Sequence, residues 1–312
     1  MMIYKNIIFV FLFSFILIFP ATVFSQTNQN DIPDWVRNTA YWWSQGDISD
    51  SEYKNAMKFL IENGIISISS QNQNIVDMGD FYTTYDEPND PYYDEIMFWA
   101  MDNEELMVNL SGINAIKLPH DVEIKFMQCN EANAFYSSEE RQIQLCYEFI
   151  DMMRNIQSEY YDSEEEIRHA VQDSIYETIL HELGHGLVDM YNIPITGKEE
   201  DAVDQLSTII LLQEGQQGID ALYAVANWYD YFGQQITGIE QLPFHDEHSF
   251  EMQRFYSILC FVYGSDPERN YELIDFVPLE TEQEIQRWSW LCVEEHEKIS
   301  NSWNTFLDPL WN

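Results

Sequence analysis

The sequence predicts an α+β fold: a small antiparallel sheet beside one long helix, a mostly helical second half, and a short all-α module ahead of both. Three observations carry this reading. Short alternating segments suited to strands fall between residues 81 and 147. One amphipathic stretch runs unbroken from about Glu164 to Met190. Beyond residue 198 helical spacing dominates, with breaks at Gly215/Gly218, Gly233 to Pro243, Gly264 to Pro267 and Pro278.

The chain has 312 residues, enough for one large domain and a small one, and its 46% hydrophobic and 15% aromatic content supports a sizeable core. The formal net charge is -40, from 54 acidic and 14 basic residues. Nucleic acid is thereby excluded as an expected partner, because phosphate binding needs clustered Lys and Arg. Attraction to anionic lipid is excluded for the same reason. The acidity reads as a solvated, self-repelling surface.

Residues 1–25 have the layout of a secretory signal peptide. Lys5 is the only charge, the apolar run Ile7 to Phe19 follows, Pro20 breaks it, and cleavage is expected after Ser25. The expected location is therefore extracellular, without stable membrane insertion after cleavage; the alternative is an uncleaved N-terminal anchor. Residues 32–66 read as two short helices. Trp35, Val36, Ala40, Trp42 and Trp43 line the first, and Gly46-Asp47 breaks it. Asp50 or Ser51 caps the second, and Gly64 stops it. Residues 67–75 are a polar linker, and the main domain is expected over 76–312.

In that domain Phe81 to Tyr85 and Val122 to Phe126 alternate as strands, and 133–136 with 142–147 form a hairpin. Tyr93 to Leu110 has helical spacing between the first two strands. Ser163 is a natural N-cap for the long helix, with Glu166 completing a capping box. Ile167, Val171, Ile175, Ile179, Leu183 and Leu187 form its buried stripe. An even cysteine count in an exported chain favours disulfides, expected as Cys129–Cys146 and Cys260–Cys292. No C-x-x-C pair suggests a cysteine zinc site.

The chemistry centres on His181-Glu182-Leu183-Gly184-His185, an H-E-x-x-H pattern inside the long helix. Positions i and i+4 share a helix face, so both histidines can grip one Zn²⁺, and Glu182 can act as general base on a metal-held water. A third ligand is expected from the next helix. Glu200 and Asp204 are i and i+4: Glu200 reaches the metal, and Asp204 accepts the outer N–H of a ligating histidine. Glu199 is the runner-up, since its helical neighbour Val203 cannot do that second task. A developing oxyanion needs a donor, for which His248 and Tyr256 are the candidates. His248 is also a reserve third ligand.

Two resemblances follow from these residues. The 32–66 pattern, with Ile32-Pro33, Trp35, Trp42-Trp43, Gly46 and Gly64-Ile65-Ile66, resembles a small helical module found on many exported archaeal proteins. From about Gly79 onward five segments occur in order. They are Cys129 to Tyr136, Leu145 to Glu148, His181 to His185, Gly197 to Gln205, and Glu247 to Tyr256. Together they resemble a family of exported metallopeptidases known largely as a domain of unknown function. More distantly the pattern is similar to the gluzincin class of zinc peptidases, though with a shorter gap before E-x-x-x-D. The resemblance implies a zincin-like fold, bound zinc and a peptide or protein substrate. The other readings are a non-catalytic zinc-site protein that binds a partner or the cell surface, and a metal hydrolase of a non-peptide amide.

Overall fold

The computed structural model describes residue 39 and residues 41–43, 45–62, 75–242 and 244–311. The signal-peptide expectation for 1–25 and most of the 67–75 linker lie outside them. The chain divides into two compact units, Met1–Gln71 and Asn72–Asn312.

In the first unit helix α1 spans Asp50–Glu62. Its cap is Ser49, one residue earlier than expected: Ser49 Oγ accepts from Glu52 N, and Glu52 Oε2 accepts from Ser49 N at 2.8 Å. Trp43 stacks on Tyr53 at 4.7 Å. Trp42 and Trp43 remain 46% and 44% exposed.

The second unit is the α+β domain. Its sheet has four strands, β1 (Phe81–Tyr85), β2 (Val122–Met127), β3 (Ala134–Ser137) and β4 (Gln142–Cys146), in the order β1-β2-β4-β3. The sheet is mixed rather than antiparallel. Only β3 and β4 run antiparallel; β1 with β2 and β2 with β4 are parallel. Connection length explains the difference. The tight hairpin forces β3 and β4 to oppose each other, whereas residues 86–121 are long enough to carry the chain back before β2 begins. That crossover holds helices α2 (Asp94–Asp102) and α3 (Glu104–Val108), one expected helix broken at Asn103. Strand β2 buries Val122, Ile124 and Phe126 in alternation, and Ile143 and Leu145 of β4 continue that layer.

The chain passes directly from β4 into α4 (Tyr147–Gln157), and then into α5 (Glu164–Tyr191), the 28-residue helix that bears the histidines. Its N-cap is Ser163, whose Oγ accepts from Glu166 N at 3.2 Å. Helix α5 is buried over most of its length because the sheet lies on one side and α6 (Glu199–Gln213) and α7 (Gln216–Gly233) on the other. Helices α8 (Glu251–Ser265) and α9 (Glu282–Leu307) complete the helical half. Among the described residues no helix is long and apolar enough to cross a membrane.

Both disulfides pair as expected. Cys129–Cys146 ties the approach to β3 onto the end of β4, and Cys260–Cys292 joins α8 to α9. At a sequence separation of 17, the Cys129–Cys146 bond restricts the unfolded chain by about 3 kcal/mol.

Candidate active site

Helix α5 carries its histidines into the interior, and His181 and Glu182 are each 7% exposed. Four-residue spacing sets the rings of His181 and His185 edge to face at 5.1 Å. Helix α6 crosses α5 at Gly184, where a Cβ would lie 2.8 Å from Val203 Cβ. Only a glycine lets the helices approach this closely, and the approach brings the first turn of α6 over the histidines.

Glu200 then faces both rings. Its Oε2 is 3.2 Å from His181 Nε2 and its Oε1 is 3.4 Å from His185 Nε2. Each outer nitrogen meets another carboxylate: His181 Nδ1 is 2.8 Å from Asp204 Oδ1, and His185 Nδ1 is 2.8 Å from Glu199 Oε1. The two adjacent glutamates thus differ in position. Glu200 sits at the convergence of the inner nitrogens, and Glu199 stands behind His185 as Asp204 stands behind His181.

His248 reaches the same point from the loop before α8. Its Nε2 is 3.0 Å from Glu200 Oε2, and its ring lies nearly parallel to His181 at 6.5 Å. Ligand atoms of His181, Glu200 and His248 therefore lie within 4.8 Å of one another. In the structure His248 is the third member of this set, and His185 meets it through Glu200 Oε1 at 3.4 Å. His185 has the stronger claim because it is on the same helix as His181 and its outer nitrogen is held. The His248 side chain is 41% exposed and rests on a loop.

Tyr256 is not among the residues that line the cavity. It follows Arg254 by two positions on α8, which turns it to another side of the helix. Arg254 enters instead, and its hydrogen-bonding role was not read from the sequence. Its Nε donates to Asp204 Oδ2 at 2.7 Å and its second terminal nitrogen to Oδ1 at 2.6 Å. The guanidinium also lies 4.2 Å over the Tyr229 ring. The only sequence signal for it was its place in the segment Glu247 to Tyr256.

Burial alone would raise the Glu200 carboxyl, but hydrogen bonds from His181, His185 and His248 hold it well below the usual carboxylate range. Burial likewise opposes charge on His181, yet Asp204 and Glu200 together raise its pKa to about 10. Desolvation raises the Glu182 carboxyl, against the pull of the two histidines and of the Tyr136 backbone N–H that it accepts. Arg254 and His181 overcome burial at Asp204 and hold it low.

These groups lie in a cavity of about 790 Å³. Six acids line it (Glu177, Glu182, Asp189, Glu199, Glu200 and Glu247), and Arg254 is the one lysine or arginine among its lining residues. Converging imidazole nitrogens, a shared carboxylate and a strongly negative setting fit a divalent cation.

Strand β3 forms the opposite wall as an edge of the sheet. Cys146 N donates to Asn133 O at 3.1 Å, so Asn133 faces β4 with its main-chain groups. By antiparallel alternation, Ala134 and Tyr136 turn theirs outward. Tyr136 N–H meets Glu182, and Tyr136 Oη donates to Asp189 at 3.1 Å. Gly186 makes room for the Tyr136 ring, which a Cβ there would approach to 3.2 Å.

A buried acid beside paired imidazoles, facing a helix-borne carboxylate across an open cleft, has the composition of a metal-dependent hydrolase site. A family described as "Putative metallopeptidase" matches residues 85–307, well over half of the chain. The protein belongs to this metallopeptidase family. No curated protein and no solved structure matches it.

Proposed function

We propose that this protein is an exported zinc-dependent peptidase in which His181, His185 and Glu200 hold the metal and Glu182 is the general base. The observation that carries the reading is the convergence of His181 Nε2 and His185 Nε2 on one carboxylate, with both Nδ1 atoms anchored by Asp204 and Glu199. Anchored outer nitrogens fix the tautomer and ring orientation that ligation requires. Two imidazole nitrogens with one carboxylate favour zinc over magnesium or calcium. When bound, zinc polarises the scissile carbonyl and acidifies water.

The remaining steps fall to the chain's own groups. Glu182, raised by burial, takes a proton from the attacking water and delivers it to the leaving amine. His248, with Nδ1 3.2 Å from Asp246, turns a donor toward the oxyanion that develops as the carbonyl is attacked. Lys198 holds that loop by donating to the His248 carbonyl at 2.9 Å. Asp204 orients His181 and is itself oriented by Arg254. Tyr256 has no role in this scheme. The outward main-chain groups of Ala134 and the Tyr136 carbonyl offer an edge to which an extended peptide adds as a strand. The two disulfides accord with an oxidising, extracellular setting.

Two measurements on the purified protein test the reading. The wild type should bind one zinc ion and cleave members of a peptide library. Glu182→Gln should keep the zinc and lose at least ~1000-fold in kcat. Wild-type cleavage that survives full zinc removal, or a Glu182→Gln variant of normal activity, would refute it.

A further inference from the structure

One buried acid lining the cavity has no part in the proposed chemistry. Glu177 lies one helical turn before His181 on α5 and is 3% exposed. Ser207 Oγ donates to its Oε1 at 2.7 Å, the one hydrogen bond described for its side chain. Its carboxyl borders the main cavity and also a smaller one of about 270 Å³ alongside Asp204 and Arg254. Arg254 does not neutralise it by hydrogen bonding, because both described hydrogen bonds from that guanidinium go to Asp204.

Aromatic rings line the cavity with Glu177. Phe149 meets Trp228 edge to face at 5.3 Å, and Trp228 lies 5.2 Å from Tyr229. Each of the three lines the same cavity as Glu177 and Thr178. Burial holds the Glu177 carboxyl up even against the nearby charges of His181 and Arg254, so a further positive group placed directly against it is favourable. Aromatic faces add attraction for that same positive group and accept the methylene stem of a long side chain. A neutral apolar guest would gain the aromatic contacts and leave the carboxylate unpaired.

We propose that Glu177, with the Phe149–Trp228 wall, forms a subsite for the lysine or arginine side chain of a substrate residue flanking the scissile bond. The proposal rests on the peptidase reading and names the substrate class that reading leaves open. Glu177 determines specificity and takes no proton during the reaction.

The test uses the full zinc-loaded protein and hexapeptides in which lysine, arginine or norleucine is moved through each position. The wild type should prefer Lys or Arg over norleucine by at least ~30-fold in kcat/KM at one position next to the cleaved bond. Glu177→Gln can still accept from Ser207 and should bring that ratio within about threefold, chiefly through KM. Cleavage without a basic preference overturns the subsite and leaves the peptidase reading standing. So does a Glu177→Gln variant of unchanged ratio. If no peptide is cleaved, binding of the same peptides separates the two ideas. Tighter lysine binding that depends on Glu177 keeps the subsite and removes the peptidase reading; equal binding of lysine and norleucine peptides removes both. The wild-type ratio needs no variant, so a poorly folding Glu177→Gln would not shield the proposal.

Discussion

The two halves of the site are built in different ways. The half made by α5 and α6 is buried, and each imidazole there is held at both ring nitrogens by carboxylates from the facing helix. The half made by residues 244–250 is a loop whose His248 is tied down by Asp246, Glu200 and the Lys198 contact to its own carbonyl. A group that must hold a cation in fixed geometry gains from rigid, anchored surroundings. A group that meets charge only as the reaction proceeds can sit where it moves with the substrate. His248 is nearer to Glu200 than His185 is, yet only His185 has its outer nitrogen held by the facing helix.

Breaking the rigid half should have the largest effect. Arg254→Met leaves the partly buried Asp204 without its two guanidinium hydrogen bonds, and denaturant unfolding should show a loss of about 2–3 kcal/mol. A loss below about 1 kcal/mol would mean that the Asp204–Arg254 pair does not brace the site. On the loop side His248→Ala should lower kcat by ~100-fold or more while zinc content and melting temperature stay at wild-type values. Loss of zinc in that variant would move His248 into the ligand set and erase the contrast. Glu199→Gln should be milder, weakening zinc affinity about tenfold in a competition titration, because only the partner of His185 changes.

A smaller test sets two acids of the helical layers against each other. Asp204 is held low by Arg254 and His181, whereas burial, with Asp220 nearby, raises Asp173 on α5 to about 7. An acid with a raised folded-state pKa binds more protons folded than unfolded. Its contribution to stability is therefore lost as pH rises from about 4 through about 7. Asp173→Asn should remove that fall and be more stable than the wild type above pH ~7, by roughly 1–2 kcal/mol once partial solvent screening is allowed for. Equal slopes of stability against pH in the two proteins would contradict it.

What the sequence disclosed and what it withheld divide along physical lines. The histidine pair, the Ser163 cap and the Glu200/Asp204 register depend on spacing within one helix, and spacing is visible in a sequence. Both cysteine pairs were legible from parity and from the elements they flank. The sheet directions were not, because they depend on how residues 86–121 travel between β1 and β2. Spacing along α6 pairs Glu199 with Val203 and so conceals its partner His185, which lies across on α5. Tyr256 and Arg254 were exchanged for a similar reason: both are polar-tipped residues on one helix, and only packing decides which of them enters the cavity.

The central claim is that Glu200, and not its neighbour, completes the metal site. Zinc content of the purified Glu199→Ala and Glu200→Ala variants tests it most directly. Glu199→Ala should retain close to one zinc per chain, with weaker affinity, and Glu200→Ala should retain essentially none. Zinc lost from Glu199→Ala and kept by Glu200→Ala would contradict it.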